Sequence, residues 1–287
     1  MKEQILGTGL SGLVGSRVVE LNPQYEFFDM LYPEADITKI DSIEPYFKNN
    51  PEASTLVHLA AYTDTKSAWD QRFDLNSPCF KINVEGTRNI VDLCQKYNKY
   101  LIHISTDYVL NGQKIGPYLE TDPVNPLEWY GQTKAMAEKI ALDGGAAVVR
   151  ISFPYGREYS LKNDFIRGYR NKLESGETLN LFVDQFITPT LIDDIAAALD
   201  VFIQKRPVGI YHLVGSSVHS PYQVAQIVSK AFNLDSSLIH ESSLDKFLSE
   251  NPLARPFGKN QALNNQKIKD ELGISMRGLE EGLKLIK

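Results

Sequence analysis

Two short stretches carry side chains that could move a proton. Ser105-Thr106-Asp107-Tyr108-Val109 closes an apolar run, Tyr100-Leu101-Ile102-His103-Ile104, that reads as a buried strand. Tyr130-Gly131-Gln132-Thr133-Lys134 leads into a helical stretch, 132–142, rich in Ala, Lys and Glu. Lys134 falls one helical turn beyond Tyr130 on the same face. A free phenol titrates at about 10 and is a poor proton shuttle at neutral pH. An ammonium one turn away would stabilise the phenolate and lower that value. Thr106, at the strand end, could hydrogen-bond a reacting oxygen and hold its geometry. The spacing alone carries little. Tyr62 and Lys66 repeat it, and a chain this rich in both residues yields roughly one match by chance. Context separates the second pair, because a hydroxyl-bearing strand end precedes it.

A proton-transfer site of this kind still needs a cofactor and a substrate, and the amino terminus offers a place for the first. Gln4-Ile5-Leu6 reads as a strand, Gly7 to Gly15 as a glycine-rich loop, and Ser16 to Leu21 as a helix stopped by Asn22-Pro23. Strand, loop and helix in that order are the setting a dinucleotide fingerprint requires. Gly9 suits the tight turn, Gly12 lets the backbone approach a pyrophosphate, and Gly15 allows close helix–strand packing. The helix N-terminus, beside Leu13 and Val14, turns free N–H groups toward the phosphate. A second strand, Tyr25 to Phe28, ends in Asp29, at the distance expected for a carboxylate that accepts from an adenosine ribose; a surface turn residue would read the same way. No Arg or Lys among Met30-Leu31-Tyr32 awaits a 2′-phosphate, which tilts the reading toward NAD over NADP. Asp36 and Ile37 begin a short segment that either contacts the adenine or starts a helix.

The next central strand, Thr55 to Ala61, is apolar throughout, as parallel strands are. Ala60 and Ala61 at its carboxyl end lack bulk, so a flat ring or phosphate can pass over the sheet edge, and Leu59, Ala60, Ala61 and Tyr62 are candidate cofactor contacts. His58 sits within the strand as a core residue, and no His, Asp or Cys near it completes a metal-ligand pattern. Residues 66–76 read as a loop or short helix, and a long helix runs from Pro78 to Tyr97. Asn83 on that helix is either exposed or bonded to main chain near the site. The predicted fold class is α/β: a Rossmann-type doubly wound parallel sheet with a smaller α/β substrate-binding lobe. Residues 1–156 form the dinucleotide-binding domain, and 157–287 mainly the substrate lobe, with some segments free to return to the first domain. In that second part 164–173, 191–204, 221–232, 266–272 and 277–286 read as helices, and 179–182 and 210–213 as strands.

The chain has 287 residues, 43% hydrophobic and 23% charged, with a net charge of -6. That balance suits a soluble enzyme and disfavours a nucleic-acid polyanion as main partner. Cys79 and Cys94 form no CxxC pair, so neither a zinc ribbon nor a disulfide framework is expected, in keeping with a reducing, cytoplasmic compartment. The apolar start after Met1-Lys2-Glu3 is too short for a signal peptide, and no apolar run reaches membrane-spanning length. A homodimer is left open.

Taken together, the glycine loop, Leu59-Ala60-Ala61, Ser105-Thr106-Asp107 and Tyr130/Lys134 resemble an extended short-chain dehydrogenase/reductase. Glu120-Thr121-Asp122, Pro126-Leu127, Arg150 to Gly156, Asp184-Gln185, Thr188-Pro189-Thr190, Gly209 to His212, Ala254-Arg255-Pro256 and Lys267 to Ile274 extend the pattern. It is similar over nearly its whole length to the dTDP-4-dehydrorhamnose reductases. The resemblance implies hydride transfer from NAD(H) or NADP(H) to the C4 ketone of a nucleotide-linked 4-keto-6-deoxy sugar. Tyr130 would donate the proton, Lys134 would tune it and hold the nicotinamide ribose, Thr106 would polarise the ketone, and Asp107 would contact the sugar. Phe153 stands where the family usually has a sugar-contacting Trp, and Arg255 either meets a substrate phosphate or forms a surface salt bridge. Two other readings stay open: an NAD-dependent nucleotide-sugar epimerase or dehydratase, and a non-catalytic dinucleotide-binding regulatory subunit. Dehydratases usually follow the Thr with Asp-Glu; Asp107-Tyr108 disfavours that route.

Overall fold

A computed structural model describes residues 2–157, 159 and 163–286. In chain order its strands are β1 (Glu3–Thr8), β2 (Tyr25–Met30), β3 (Thr55–His58), β4 (Tyr100–Thr106), β5 (Ala147–Ile151), β6 (Pro154–Tyr155), β7 (Leu179–Phe182), β8 (Thr190–Leu191), β9 (Gly209–His212) and β10 (Ile239–Ser242). The α-helices are α1 (Leu13–Leu21), α2 (Ile40–Asn49), α3 (Thr65–Asp70), α4 (Pro78–Phe80), α5 (Thr87–Lys96), α6 (Trp129–Asp143), α7 (Phe165–Glu174), α8 (Ile192–Lys205), α9 (Pro221–Phe232), α10 (Leu244–Glu250), α11 (Gln266–Leu272) and α12 (Leu279–Leu283). Six strands pair in parallel in the order β2-β1-β3-β4-β5-β9.

Burial on both faces explains why these strands are apolar without alternation. Ile5 points into one core with Val18 of α1 and Ile195 and Leu199 of α8. Its neighbour Leu6 points into the opposite core with Ile43 and Phe47 of α2 and Ile90 of α5. The chain runs outward from β1 to β2 and then crosses back to β3. That reversal opens a crevice at the carboxyl ends of β1 and β3, where ligands of doubly wound sheets bind.

One helix start and one π-helical stretch place side chains around this crevice. Glu128 caps α6: its carboxylate accepts from the Tyr130 N–H at 3.2 Å and the Gly131 N–H at 2.8 Å, so negative charge meets the positive helix end. Gly131 then packs where a Cβ would come within 2.2 Å of the Tyr108 carbonyl oxygen, which seats the first turn of α6 directly on the segment after β4. The predicted helix 78–97 is present but not uniform. A π-helical stretch, Lys81–Gly86, joins α4 to α5 and turns Asn83 inward, where it is buried.

The second lobe pairs β6 with β8 and β7 with β10, and α7, α9 and α12 close over a core of Tyr155, Ile166, Leu191, Val224 and Leu279. The strand β10 and helix α10 in this lobe have no counterpart in the sequence reading. Several later segments return to the first sheet. β9 forms its edge, α11 packs over it, and α8 lies against α1, where Arg17 makes a bidentate bridge to Asp193 at 2.7 and 2.8 Å. Tyr155, before residue 156, thus belongs to the second core, and α8, β9 and α11, after it, pack with the first.

Behind β5, the fully buried guanidinium of Arg150 grips Glu138 of α6 through two bonds of 2.7 and 2.8 Å, and its Nη1 lies 3.3 Å from His212 Nε2. Burial and the Arg150 charge hold His212 neutral, its pKa lowered to about 3. Replacing Arg150 by Met strands the Glu138 carboxylate in the core, which should cost about 3–5 kcal/mol in urea unfolding. The double variant Arg150→Met/Glu138→Leu should recover most of that loss.

Candidate active site

A cleft of about 650 Å³ opens over the carboxyl ends of β1, β3 and β4. Gly9, Gly12, Leu13 and Val14 line one wall, Leu59, Ala60 and Ala61 the floor, and Thr106, Asp107, Tyr130, Lys134 and Phe153 the far end. Gly9 sits at φ +69°, and a Cβ there would come within 2.8 Å of the Ala60 amide nitrogen. A Cβ on Gly15 would lie 2.3 Å from the Gly9 carbonyl, so α1 can approach the loop only without a side chain. Gly12 caps α1 with no side-chain bond to its first N–H groups, which leaves them available to a phosphate. The Ser105 hydroxyl lines the same cleft, buried and without a partner. Open helix N–H groups, a cradle that side chains would fill and an orphaned hydroxyl fit a dinucleotide.

The remaining residues expected at the cofactor build the walls and do not line the cleft. The Asp29 carboxylate accepts from the Leu10 N–H at 3.3 Å, and so ties the end of β2 to the glycine loop. Partial burial raises its pKa, and these backbone bonds offset part of the rise. Asp36 accepts from the Thr38 N–H at 3.0 Å and hydroxyl at 2.7 Å and pairs with Lys39, as a turn residue does. Ile37 is buried against Gly86 in the core. Tyr62 is clamped by Asn83, whose Oδ1 accepts from the Tyr62 N–H at 2.8 Å and whose Nδ2 donates to the Tyr62 carbonyl at 3.2 Å. Asn83 thus holds the loop after β3, the second of the two alternatives its sequence position allowed. The competing Tyr62/Lys66 pair is not at the reacting end: Lys66 lies in the first turn of α3 and is exposed.

At the reacting end the sequence-predicted groups converge. Thr106 Oγ1 donates to Asp107 Oδ1 at 2.9 Å, and Ser152 Oγ donates to Asp107 Oδ2, also at 2.9 Å. Burial pushes the Asp107 carboxyl up to about 6 despite these two bonds. Tyr130 is buried and packs edge-on against Tyr108 with centroids 5.6 Å apart. Its phenol does not have the lowered pKa that the spacing suggested. Burial first, then the Asp107 charge, push it well above its ordinary value, and the Thr106 hydrogen bond only partly offsets them. Lys134 is buried too, which brings its ammonium down to about 8, with Glu138 and Cys79 opposing the shift. Its Nζ donates to the Ile104 carbonyl at 2.7 Å and lies 3.4 Å from His103 Nε2.

Phe153 lines the cleft at φ +42°, an uncommon conformation for an aromatic residue, with its ring edge-on to Phe165. Arg255 lies outside the lining, with its guanidinium over Tyr108 at 5.9 Å and Phe257 at 4.1 Å, and its buried Nη1 has no partner. His58 is a core residue as expected, and no group of three His, Cys, Asp or Glu placed to hold a metal occurs among the described residues. No helix among the described residues is long and apolar enough to cross a membrane. Sequence reasoning assigned nothing to Ser105, Glu128 or Ser152. Ser105 and Glu128 sit within two residues of Thr106 and Tyr130 and could have been suspected. Ser152 gave no such signal, because only the pairing of β4 with β5 brings it to Asp107.

A tyrosine–lysine helix set over a dinucleotide crevice defines an NAD(P)-dependent oxidoreductase of the extended short-chain type. The sequence profile of the RmlD substrate binding domain matches residues 1–286, and the chain belongs to that family. The dTDP-4-dehydrorhamnose reductase of Aggregatibacter actinomycetemcomitans is 29% identical to it over 309 aligned positions, covering 99% of this chain and 98% of that protein. The β subunit of methionine adenosyltransferase 2 from Rattus norvegicus is 28% identical, covering 98% of this chain and 87% of that one. Among solved structures, dTDP-4-dehydrorhamnose reductase from Bacillus anthracis in complex with NADP superposes with a TM-score of 0.90 at 26% identity, covering 100% of this chain and 99% of that one.

The Asp107 environment has a measurable signature. With a native pKa of about 6 against about 3.9 in the unfolded chain, the folded state holds the extra proton between those values. Stability contributed by this group therefore falls as pH rises through that window. Asp107→Asn should gain on the wild-type protein from pH 4 to pH 7 by up to about 3 kcal/mol, read as the difference between two thermal-melt series.

Proposed function

We propose that this chain reduces the C4 ketone of a nucleotide-linked 4-keto-6-deoxy sugar, with dTDP-4-dehydrorhamnose as the first candidate substrate. The observation that carries the reading is the buried Tyr130 in a single cleft that Thr106, Lys134 and the glycine loop also line. The bound nicotinamide would supply the hydride. Gly9, Gly12 and the first N–H groups of α1 would hold its pyrophosphate, and Ala60 and Ala61 would let it cross the sheet edge. Lys134 would hold the nicotinamide ribose and place positive charge beside the reacting oxygen. Tyr130 is the acid. Its raised pKa keeps it protonated at neutral pH, so a proton is ready for the alkoxide that forms at C4, and the Lys134 charge then favours the phenolate left behind.

Thr106, whose hydroxyl proton goes to Asp107, would accept from the phenol and fix its direction at the carbonyl oxygen. Asp107 lines the cleft with each oxygen accepting one hydroxyl, and its remaining lone pairs would accept from the sugar. Phe153 would offer the sugar an apolar face. Arg255, with its unpartnered Nη1, would take a phosphate of the nucleotide. NADH is favoured over NADPH, because Asp29 closes β2 without a cation and Lys39 is already paired to Asp36. A second reading, a dinucleotide-binding subunit that modulates another enzyme, draws support from the likeness to the methionine adenosyltransferase β subunit.

Purified protein should oxidise NADH or NADPH when given the keto-sugar, and Tyr130→Phe should lower kcat by about 10²–10⁴-fold while cofactor affinity is unchanged. Dinucleotide binding without turnover on any 4-keto-6-deoxy sugar would replace the reductase reading by the regulatory one. Equal kcat/KM for NADH and NADPH would remove the preference for NADH.

A further inference from the structure

An ammonium has three N–H donors and no acceptor, so a buried lysine is oriented by what receives them. Lys134 is buried beneath the cleft and has two acceptors, both on β4: the Ile104 carbonyl at 2.7 Å and His103 Nε2 at 3.4 Å. Because Lys134 cannot accept, His103 Nε2 must present its lone pair, and the ring proton then sits on Nδ1. That Nδ1 is buried without a partner. An apolar side chain at position 103 would fill the strand without leaving a polar atom unpaired, so filling the core does not explain an imidazole here.

The ring beside it is arranged to stay neutral and out of the way. Thr87 spends its hydroxyl proton on the Asn83 carbonyl at 2.7 Å, so His58 Nε2 is the donor to Thr87 at 3.2 Å. His58 Nδ1 then accepts from the Thr8 hydroxyl at 2.7 Å. With both its nitrogens engaged, His58 stacks obliquely on His103 at 5.3 Å. Burial and the Lys134 charge also keep His103 unprotonated, so it remains an acceptor throughout the neutral range.

We propose that His103 is a positioning residue for Lys134: Nε2 receives one N–H, the Ile104 carbonyl receives the second, and the tetrahedral ammonium is left with its third N–H directed into the cleft. The third donor is the one that the nicotinamide ribose and the Tyr130 phenol would share, so this inference deepens the proposed function and partly rests on it. Charged and titratable groups facing the ammonium are Glu138 one turn along α6, Cys79 from α4, and His103 and His58 from the sheet. Glu138 is committed to Arg150. His103 is the only uncharged side chain among those described that accepts from Nζ.

The test reads Lys134 in the cofactor-free protein. Carbon NMR of protein labelled at lysine Cε, with the signal assigned by its loss in Lys134→Met, follows the ammonium titration. Removing an acceptor destabilises the charged form, so His103→Leu should shift that midpoint down by about one pH unit. His103→Gln, whose amide oxygen can accept, should keep it near the wild-type value. A leucine variant that titrates like wild type, or a glutamine variant shifted as far as the leucine one, overturns the proposal. Thermal melting checks that each variant is folded, and His103→Met replaces the leucine arm if that variant is not. In turnover with the keto-sugar, the alkaline limb of kcat should move down with the leucine variant and not with the glutamine variant, while KM for the sugar holds. If wild type turns over no keto-sugar but Lys134 titrates as expected, the reductase reading fails and the role of His103 stands.

Discussion

The site depends on one close approach. The first turn of α6 lies against the chain leaving β4, at Gly131 over the Tyr108 carbonyl, with no room for a single carbon between them. That contact sets Tyr130 beside Thr106 and lowers Lys134 onto the backbone of β4. The capping carboxylate of Glu128 secures the same turn from the other end. A helix start that sat an ångström farther out would leave the phenol, the hydroxyl and the ammonium as three unrelated surface groups.

Bringing these groups together also takes them out of water, and burial then governs the electrostatics. It lifts the Asp107 carboxyl and the Tyr130 phenol and lowers the Lys134 ammonium, each toward its neutral form. Each shift suits a site that must hold a proton ready. The compensation is local. Asp107 receives two hydroxyls, Lys134 donates to a carbonyl and to an imidazole, and Asn83 in the π-helical stretch ties the loop after β3 to α6. Farther back, Arg150 grips Glu138 behind the same helix, and the Glu138 charge partly offsets the cost of burying the lysine.

Much of the fold is legible from the chain because its signals are local. Continuous apolar runs mark strands buried on both faces, the glycine loop marks the turn into α1, and Pro221 to Phe232 begins and ends where its cap and periodicity place it. The return of α8, β9 and α11 to the first sheet left no such mark. Those segments have the same amphipathic patterns they would have in either lobe, and only long-range packing decides between them. The short strand β10 is equally silent, since four residues with two exposed side chains do not differ from a loop until β7 lies beside them.

The residue types and spacings alone picked out the candidate set that lines the cleft: a phenol and an ammonium one helical turn apart, a hydroxyl at a strand end, and a glycine loop suited to a pyrophosphate. Covalent proximity and helical periodicity are enough for that. The protonation states were decided by the tertiary structure. From spacing, Lys134 should depress the phenol; in the folded protein burial and the Asp107 charge push the phenol up, while the Lys134 ammonium is engaged by the Ile104 carbonyl and His103. The partners of Asp107 and Lys134 were likewise decided there. Ser152 reaches Asp107 through the pairing of β4 with β5, and His103 reaches Lys134 because α6 lies down on the sheet, and neither contact is written in the spacing of residues along the chain.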